Sequence, residues 1–178
     1  TIRNTNNNTT DHILDGGTNV GTTGENLAAQ PLVVLNDFTI EDNTFFDHNG
    51  NDLTIGRNFS VAENSQQQGT NNRGYLYNAG TPNITKFNGT EDAEIYIGES
   101  RVNNGYELFL TNMTIDKPVG TTLLLTGDPE KEAANVSTLY FSRLLQVTGD
   151  FILERGTFNQ GEHSVRLFGS VRLKENAT

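Results

Sequence analysis

Apolar and polar residues alternate over short stretches along most of this chain, and the stretches come in pairs. Leu145-x-Val147 is followed by Gly149-Asp150 and then by Phe151-x-Leu153. At a step of 20 the order returns as Val165-x-Leu167, Gly169-Ser170 and Val171-x-Leu173. Alternation at period two is the mark of a strand with one buried face, and a Gly or Asn between two such runs marks a bend. The same form stands near the start. Val33-x-Leu35, Asn36-Asp37, Phe38-x-Ile40 precedes Leu53-x-Ile55, Arg57-Asn58, Phe59-x-Val61, with steps of 20 and 21. Leu108-x-Leu110, Thr111-Asn112, Met113-x-Ile115 states it once more. Asn43-Thr44-Phe45 sits after its pair where Gly156-Thr157-Phe158 sits after the later one, so Phe45 and Phe158 are expected to stack inward.

Shorter runs at Ile84 to Phe87, Glu94 to Ile97 and Thr122 to Gly127 read as further strands, with Asn88-Gly89 and Asp116 to Gly120 as corners. The one helix-like patch, Asp128 to Ala134, is too short to stand alone. A step near 20 is the length of one solenoid turn. The expectation is therefore an all-β parallel β-helix with rungs of about 20 residues, in which Leu145 lies on Val165 and Phe151 on Val171. An antiparallel β-sandwich is the alternative, but it gives no reason for a form repeated at that step. Residues 1–31 are expected to be an irregular lead-in or incomplete first rung, and residues 32–178 the repeat region, as a segment of a longer mature chain.

Composition narrows the picture. The apolar fraction is 34%, which suits a thin tube better than a thick two-layer core. Asn and Thr together make about a quarter of the residues, and both suit tight corners and exposed strand faces. The net charge of −10 argues against a nucleic-acid groove. No apolar run is long enough for a membrane span, and without cysteine there is no thiol chemistry.

Several residues are candidates for chemistry. Asp37, Asp42, Asp52, Asp92, Glu94, Asp116 and Asp150 are the carboxylates that a polysaccharide lyase or hydrolase would need to gather. Asp37 and Asp150 hold matching corners of their repeats, where other copies carry Asn58, Asn112 and Ser170; a corner that accepts all of these bonds backbone rather than substrate. His12, His48 and His163 lack ligand spacing. Asp47 to Asp52 has the oxygen-rich look of a calcium loop, but counting twelve from Asp47 reaches Asn58 instead of a bidentate Glu. Asn-x-Ser/Thr triplets start at Asn7, Asn8, Asn58, Asn83, Asn88, Asn112, Asn135 and Asn176, as composition alone would produce. Tyr75, Tyr77, Tyr96, Tyr106 and Tyr140 could stack on sugars or fill corners. The expectation is no catalytic, cofactor-binding or metal site, with Asn side chains forming ladders at the corners.

The run LLQVTGDFILERGTFNQGEHSVRLFGSVRL, and NTFFDHNGNDLTIGRNFSV from Asn43 to Val61, resemble repeats in very large surface proteins of gliding and related Bacteroidota. ITKFNGTEDAEIYI and YELFLTNMTIDKPVGTTLLLTGD follow in the order those proteins use, so the resemblance covers about Leu32 to Leu173. It implies a right-handed parallel β-helix in a secreted, cell-surface adhesin, exported by type IX secretion in many such proteins and serving gliding motility in some. The role implied is non-catalytic, a stalk or adhesin module; a polysaccharide-binding or polysaccharide-cleaving β-helix is the alternative. The expected partners are neighbouring domains of the same long chain, secretion or surface-anchoring machinery, and glycans, with no nucleic acid and no membrane insertion.

Overall fold

Side chains one turn apart do lie on one another. In the computed structural model, Leu145 pairs with Val165 and Phe151 with Val171, both in parallel register. The structure describes residues 30–40, 46–47, 50–61, 75–76, 83–98, 107–127 and 144–177. Every strand pairing among them is parallel. That excludes the antiparallel sandwich and gives a parallel β-helix with three faces.

Face one stacks β1 (Leu32–Val34), β4 (Leu53–Ile55), β7 (Ile84–Phe87), β10 (Asn112–Asp116), the first part of β13 (Phe151–Asn159) and β15 (Val171–Ala177). Face two stacks β2 (Phe38–Ile40), β5 (Phe59–Val61), β8 (Ala93–Ile97), β11 (Thr122–Thr126) and the last part of β13. Face three holds β3 (Phe46–Asp47) on β6 (Tyr75–Leu76), and β9 (Glu107–Leu110) under β12 (Leu144–Val147) and β14 (Ser164–Leu167). Among the described residues there is no helix, hence none long and apolar enough to cross a membrane.

The core is a set of columns, one residue per rung. Val34, Ile55, Phe87, Ile115, Leu153 and Leu173 form one on face one, and Phe38, Phe59, Ile95 and Leu125 one on face two. Leu110, Val147 and Leu167 close face three. The middle members are buried; the alternate residues point out, as strand geometry requires. Each apolar side chain is thus desolvated by its own column and by the facing sides, which lets a low apolar fraction fill a narrow interior. Phe158 does stack inward, on Leu123 and beside Phe151 at 5.6 Å.

Four details differ from the sequence reading. In the first rung the inward pair is Leu32 and Val34, matched to Leu53 and Ile55, while Val33 and Leu35 stand 62% and 81% exposed. The run Leu32 to Leu35 is apolar throughout, so alternation has no phase there, and a one-residue slip reverses every side chain. Next, the rungs are not of uniform length. Leu32 to Leu53 is a step of 21 and Phe151 to Val171 one of 20, but Leu53 to Thr85 is 32, Thr85 to Met113 is 28 and Met113 to Phe151 is 38.

The repeated form also occupies two different corners. β1–β2 and β4–β5 turn from face one to face two, whereas β9–β10, β12–β13 and β14–β15 turn from face three to face one. Asp37 and Asp150 therefore do not hold equivalent corners. For the same reason Thr157-Phe158, just past the bend at Gly156, belongs to face two itself, whereas residues 43–45 come after β2 in the chain and lie outside the described residues. Two alternating runs around a bend look alike at any corner of a triangle, so the sequence shows the form without its side.

Most of the added length is in one place. Between faces two and three the successive rungs carry 5, 13, 9, 17 and 4 residues (41–45, 62–74, 98–106, 127–143, 160–163). The turn from face one to face two takes three or five residues in the first four rungs and none in β13, which bends at Gly156 with φ 87°. A positive φ is open to glycine at little steric expense.

Candidate functional site

The polar chemistry of the chain is concentrated at two corners, where it joins rung to rung. At the turn from face one to face two, Asp37 Oδ1 accepts the N–H of Asn58 at 3.2 Å, Asn58 Oδ1 that of Glu94 at 3.0 Å, and Asp92 Oδ1 that of Thr122 at 2.7 Å. At the turn from face three to face one, Asp52 Oδ1 accepts from Ile84 N–H at 2.8 Å, Asn112 Oδ1 from Asp150 N–H at 2.8 Å, and Asp150 Oδ1 from Ser170 N–H at 3.4 Å. Each bond runs forward to the next rung. A side-chain oxygen thus serves a backbone donor at the place where the strand ladder is interrupted.

The expected Asn ladder is present at the second of these corners. Asn83 Nδ2 donates to Asn51 O at 3.2 Å and Asn112 Nδ2 to Asn83 O at 3.0 Å. Asn112 consequently ties three rungs together, one below and one above its own. Asn112→Ala removes both bonds and leaves the Asp150 N–H short of an acceptor. The expected loss is about 1–3 kcal/mol, read as a lower urea midpoint with unchanged slope.

These bonds also settle the other side chains. Asn58, Asn83 and Asn112 begin Asn-x-Ser/Thr triplets, but their amides carry rung contacts, and Asn83 is 2% exposed. Of the calcium-like loop, Asp52 and Asn58 are committed to backbone N–H groups and the Asn51 carbonyl to Asn83; residues 48 and 49 lie outside the described residues. His163 sits in the turn after β13, its N–H bonded to Gln160 O at 3.1 Å. His12, His48 and Asp42 lie outside the described residues, as do Tyr77, Tyr106 and Tyr140. Tyr96 stands on face two between Ser60 and Thr126.

Two carboxylates, Asp37 and Asp116, have their acidity shifted by close cation partners. Asp37 receives Arg57 Nε at 2.7 Å and its Nη2 as well, which holds its carboxyl below the usual carboxylate range. Asp116 lies between Arg155 at 2.8 Å and Lys86 at 3.1 Å, and the Arg155 hydrogen bond leads in lowering its pKa. Both are ion pairs across rungs on the outside of the tube. Glu94 Oε2 accepts from Thr126 Oγ1 at 3.5 Å. Asp37, Asp52, Asp92, Glu94, Asp116 and Asp150 are dispersed over several rungs, and each has a structural partner. Among the described residues no group of three or more His, Asp or Glu side chains could hold a metal ion.

Sequence reasoning passes over Lys117. It follows β10 in a chain otherwise sparing with lysine, and the pattern gives it no inward place. Yet it is fully buried, with Nζ donating to Gly89 O at 3.1 Å one rung below. Burial pushes its pKa down, against the pull of Asp92 and Glu91. A lowered pKa means the folded chain holds fewer protons than the unfolded one between the lowered value and the ordinary lysine value. Stability therefore rises with pH through that window. Lys117→Met is expected to flatten this alkaline rise, and to be close to neutral at pH 7, because a desolvated charge is exchanged for apolar volume. Urea melts at pH 7 and across the alkaline range check both.

Family models, curated proteins and solved structures all give no match to this chain.

Proposed function

We propose that the chain is a non-catalytic structural segment of a large secreted bacterial surface protein, a β-helical stalk or adhesin module. The observation that carries this reading is the employment of the candidate carboxylates: Asp37, Asp52, Asp92 and Asp150 each commit Oδ1 to a backbone N–H of the following rung. A hydrolytic site needs at least one carboxyl free to exchange a proton with substrate. Groups fixed between rungs suit load-bearing instead, because each couples two turns that a pull along the axis would separate. The resemblance to surface repeats of gliding Bacteroidota agrees with this role and carries with it the export route and the surface location.

Pulling the protein by its ends in a force experiment tests the stalk role. Stepwise release of turns at forces typical of mechanical domains is expected. Incubation with acidic and neutral polysaccharides is the second arm. Reducing-end or unsaturated-product formation that disappears in an Asp116→Asn or Glu94→Gln variant would replace the stalk by the glycan-cleaving reading. Retention on an immobilised glycan without turnover would make it a glycan-binding module.

A further inference from the structure

Two buried oxygens at the turn from face three to face one lack a hydrogen-bond partner among the described residues. Six corner side chains, Asp37, Asp52, Asn58, Asp92, Asn112 and Asp150, each offer Oδ1 to a backbone N–H of the following rung. Asn83 departs from that rule. Its Nδ2 reaches down to Asn51 O, but its Oδ1 accepts nothing. The groups of Asn112 one rung up are spent elsewhere: its N–H and its Nδ2 both donate to the Asn83 main-chain carbonyl, at 3.1 and 3.0 Å. The second oxygen is Thr111 Oγ1, which is likewise unpartnered. Asn83 is 2% exposed and Thr111 8%, so bulk solvent serves neither. The two are neighbours. Asn112 pairs with Ile84, so Thr111 holds the register position of Asn83 one rung up. The next positions in that column are Gly149 and Gly169, which bring no side chain to answer Thr111 from above.

We propose that this corner binds one internal water, which bridges Thr111 Oγ1 and Asn83 Oδ1. A buried acceptor left unpaired costs free energy, and protein interiors answer such groups with ordered water. The dimensions agree. Rungs stand about 4.8 Å apart, and one water making two bonds of about 2.8 Å spans oxygens roughly 4.5 Å apart. The chemistry agrees as well. An amide oxygen only accepts, so the water donates to Asn83 Oδ1, while the Thr111 hydroxyl donates to the water. Two neutral oxygens are too few for a metal ion, which draws on six or more oxygens or on carboxylates. The water stands in for the forward bond that the other six side chains make directly, and it ties the rung of β7 to that of β10. The inference goes beyond the stalk role and is independent of it.

Magnetic relaxation dispersion of the solvent oxygen, which counts long-lived internal waters, tests it on the whole 178-residue protein. Thr111→Val keeps the side-chain shape and removes the hydroxyl; Thr111→Ser keeps the hydroxyl. The expected result is the loss of one water's contribution in Thr111→Val and its retention in Thr111→Ser. A crystal structure of the parent protein, at a resolution that shows ordered solvent, decides the matter even where the valine variant does not fold. Density for a water within hydrogen-bond distance of both oxygens is expected there. A dispersion that is the same in the parent and in Thr111→Val overturns the proposal. So does density in which Thr111 Oγ1 bonds Asn83 Oδ1 directly, or in which no water lies between them. None of these outcomes touches the force experiment, so the stalk reading stands or falls separately.

Discussion

Gly89→Ala is expected to prevent the native stack from forming at physiological temperature. A Cβ built on Gly89 falls 1.4 Å from the carbonyl oxygen of Gly56, and one on Gly56 falls 1.9 Å from that of Leu35. Gly89, Gly56 and Leu35 thus form a column of backbone on backbone at the turn from face one to face two. What blocks the added methyl is main chain, so no rotamer change relieves it. The rungs themselves must part, and they are held at about 4.8 Å by the ladder on either side. The Gly89 carbonyl also accepts Lys117 Nζ, so a shift there disturbs a buried ammonium with its acceptor. The loss is expected to reach the exceptional range of about 4 kcal/mol or more. Gly120→Ala is the natural comparison: nothing lies within 4 Å of its Cβ, and only its φ of +89° opposes the change. That strain is worth about 1–2 kcal/mol. Chemical denaturation of both variants checks the order; a Gly89→Ala protein as stable as Gly120→Ala would refute the backbone column.

Phe59→Ala is the second large effect. Phe59 is fully buried, stacked on Phe38 with centroids 5.7 Å apart and planes 12° from parallel, and tilted to Phe87 at 6.4 Å. Its column continues to Ile95. Removing the ring empties the centre of the tube between three rungs. The walls cannot close on the gap, because their spacing is fixed by backbone bonds along the stack. A loss of about 3–5 kcal/mol is expected, with Phe59→Leu recovering much of it. Thermal and urea melts measure both, and an alanine variant within about 1 kcal/mol of the parent would mean that the interior relaxes freely.

The same two features explain what the sequence could and could not disclose. Phe38 and Phe59 were legible because polar neighbours on both sides fix their phase. Phe151, in an apolar run, was legible through Val171, whose neighbours Ser170 and Arg172 are polar, and through rungs that are short and nearly equal in length. Val33 and Leu35 were misplaced since four apolar residues in a row carry no alternation. Thr85 was unreadable as an inward residue, although it is fully buried in the column between Leu53 and Met113. Its rung follows a much longer excursion than the first one does, so no fixed step could find it. The corner bonds were foreseen in kind, Asx oxygens serving backbone, but as local turns. They join segments far apart along the chain instead, because in a coil the nearest main chain is the next turn. Lys117 escaped altogether: hydropathy cannot show that a lysine is buried at a corner while its amine finds a carbonyl.

The corner between faces two and three has a practical meaning. Segments of very different length leave and re-enter there while the strands on either side keep their pairing. A coil of this kind tolerates long grafts along this seam, where its connections already run from four to seventeen residues. Foreign peptides spliced into 127–143, where the longest connection already stands, should be displayed on the rod without disturbing it. Grafts in successive turns would set several such peptides a few ångströms apart in a row.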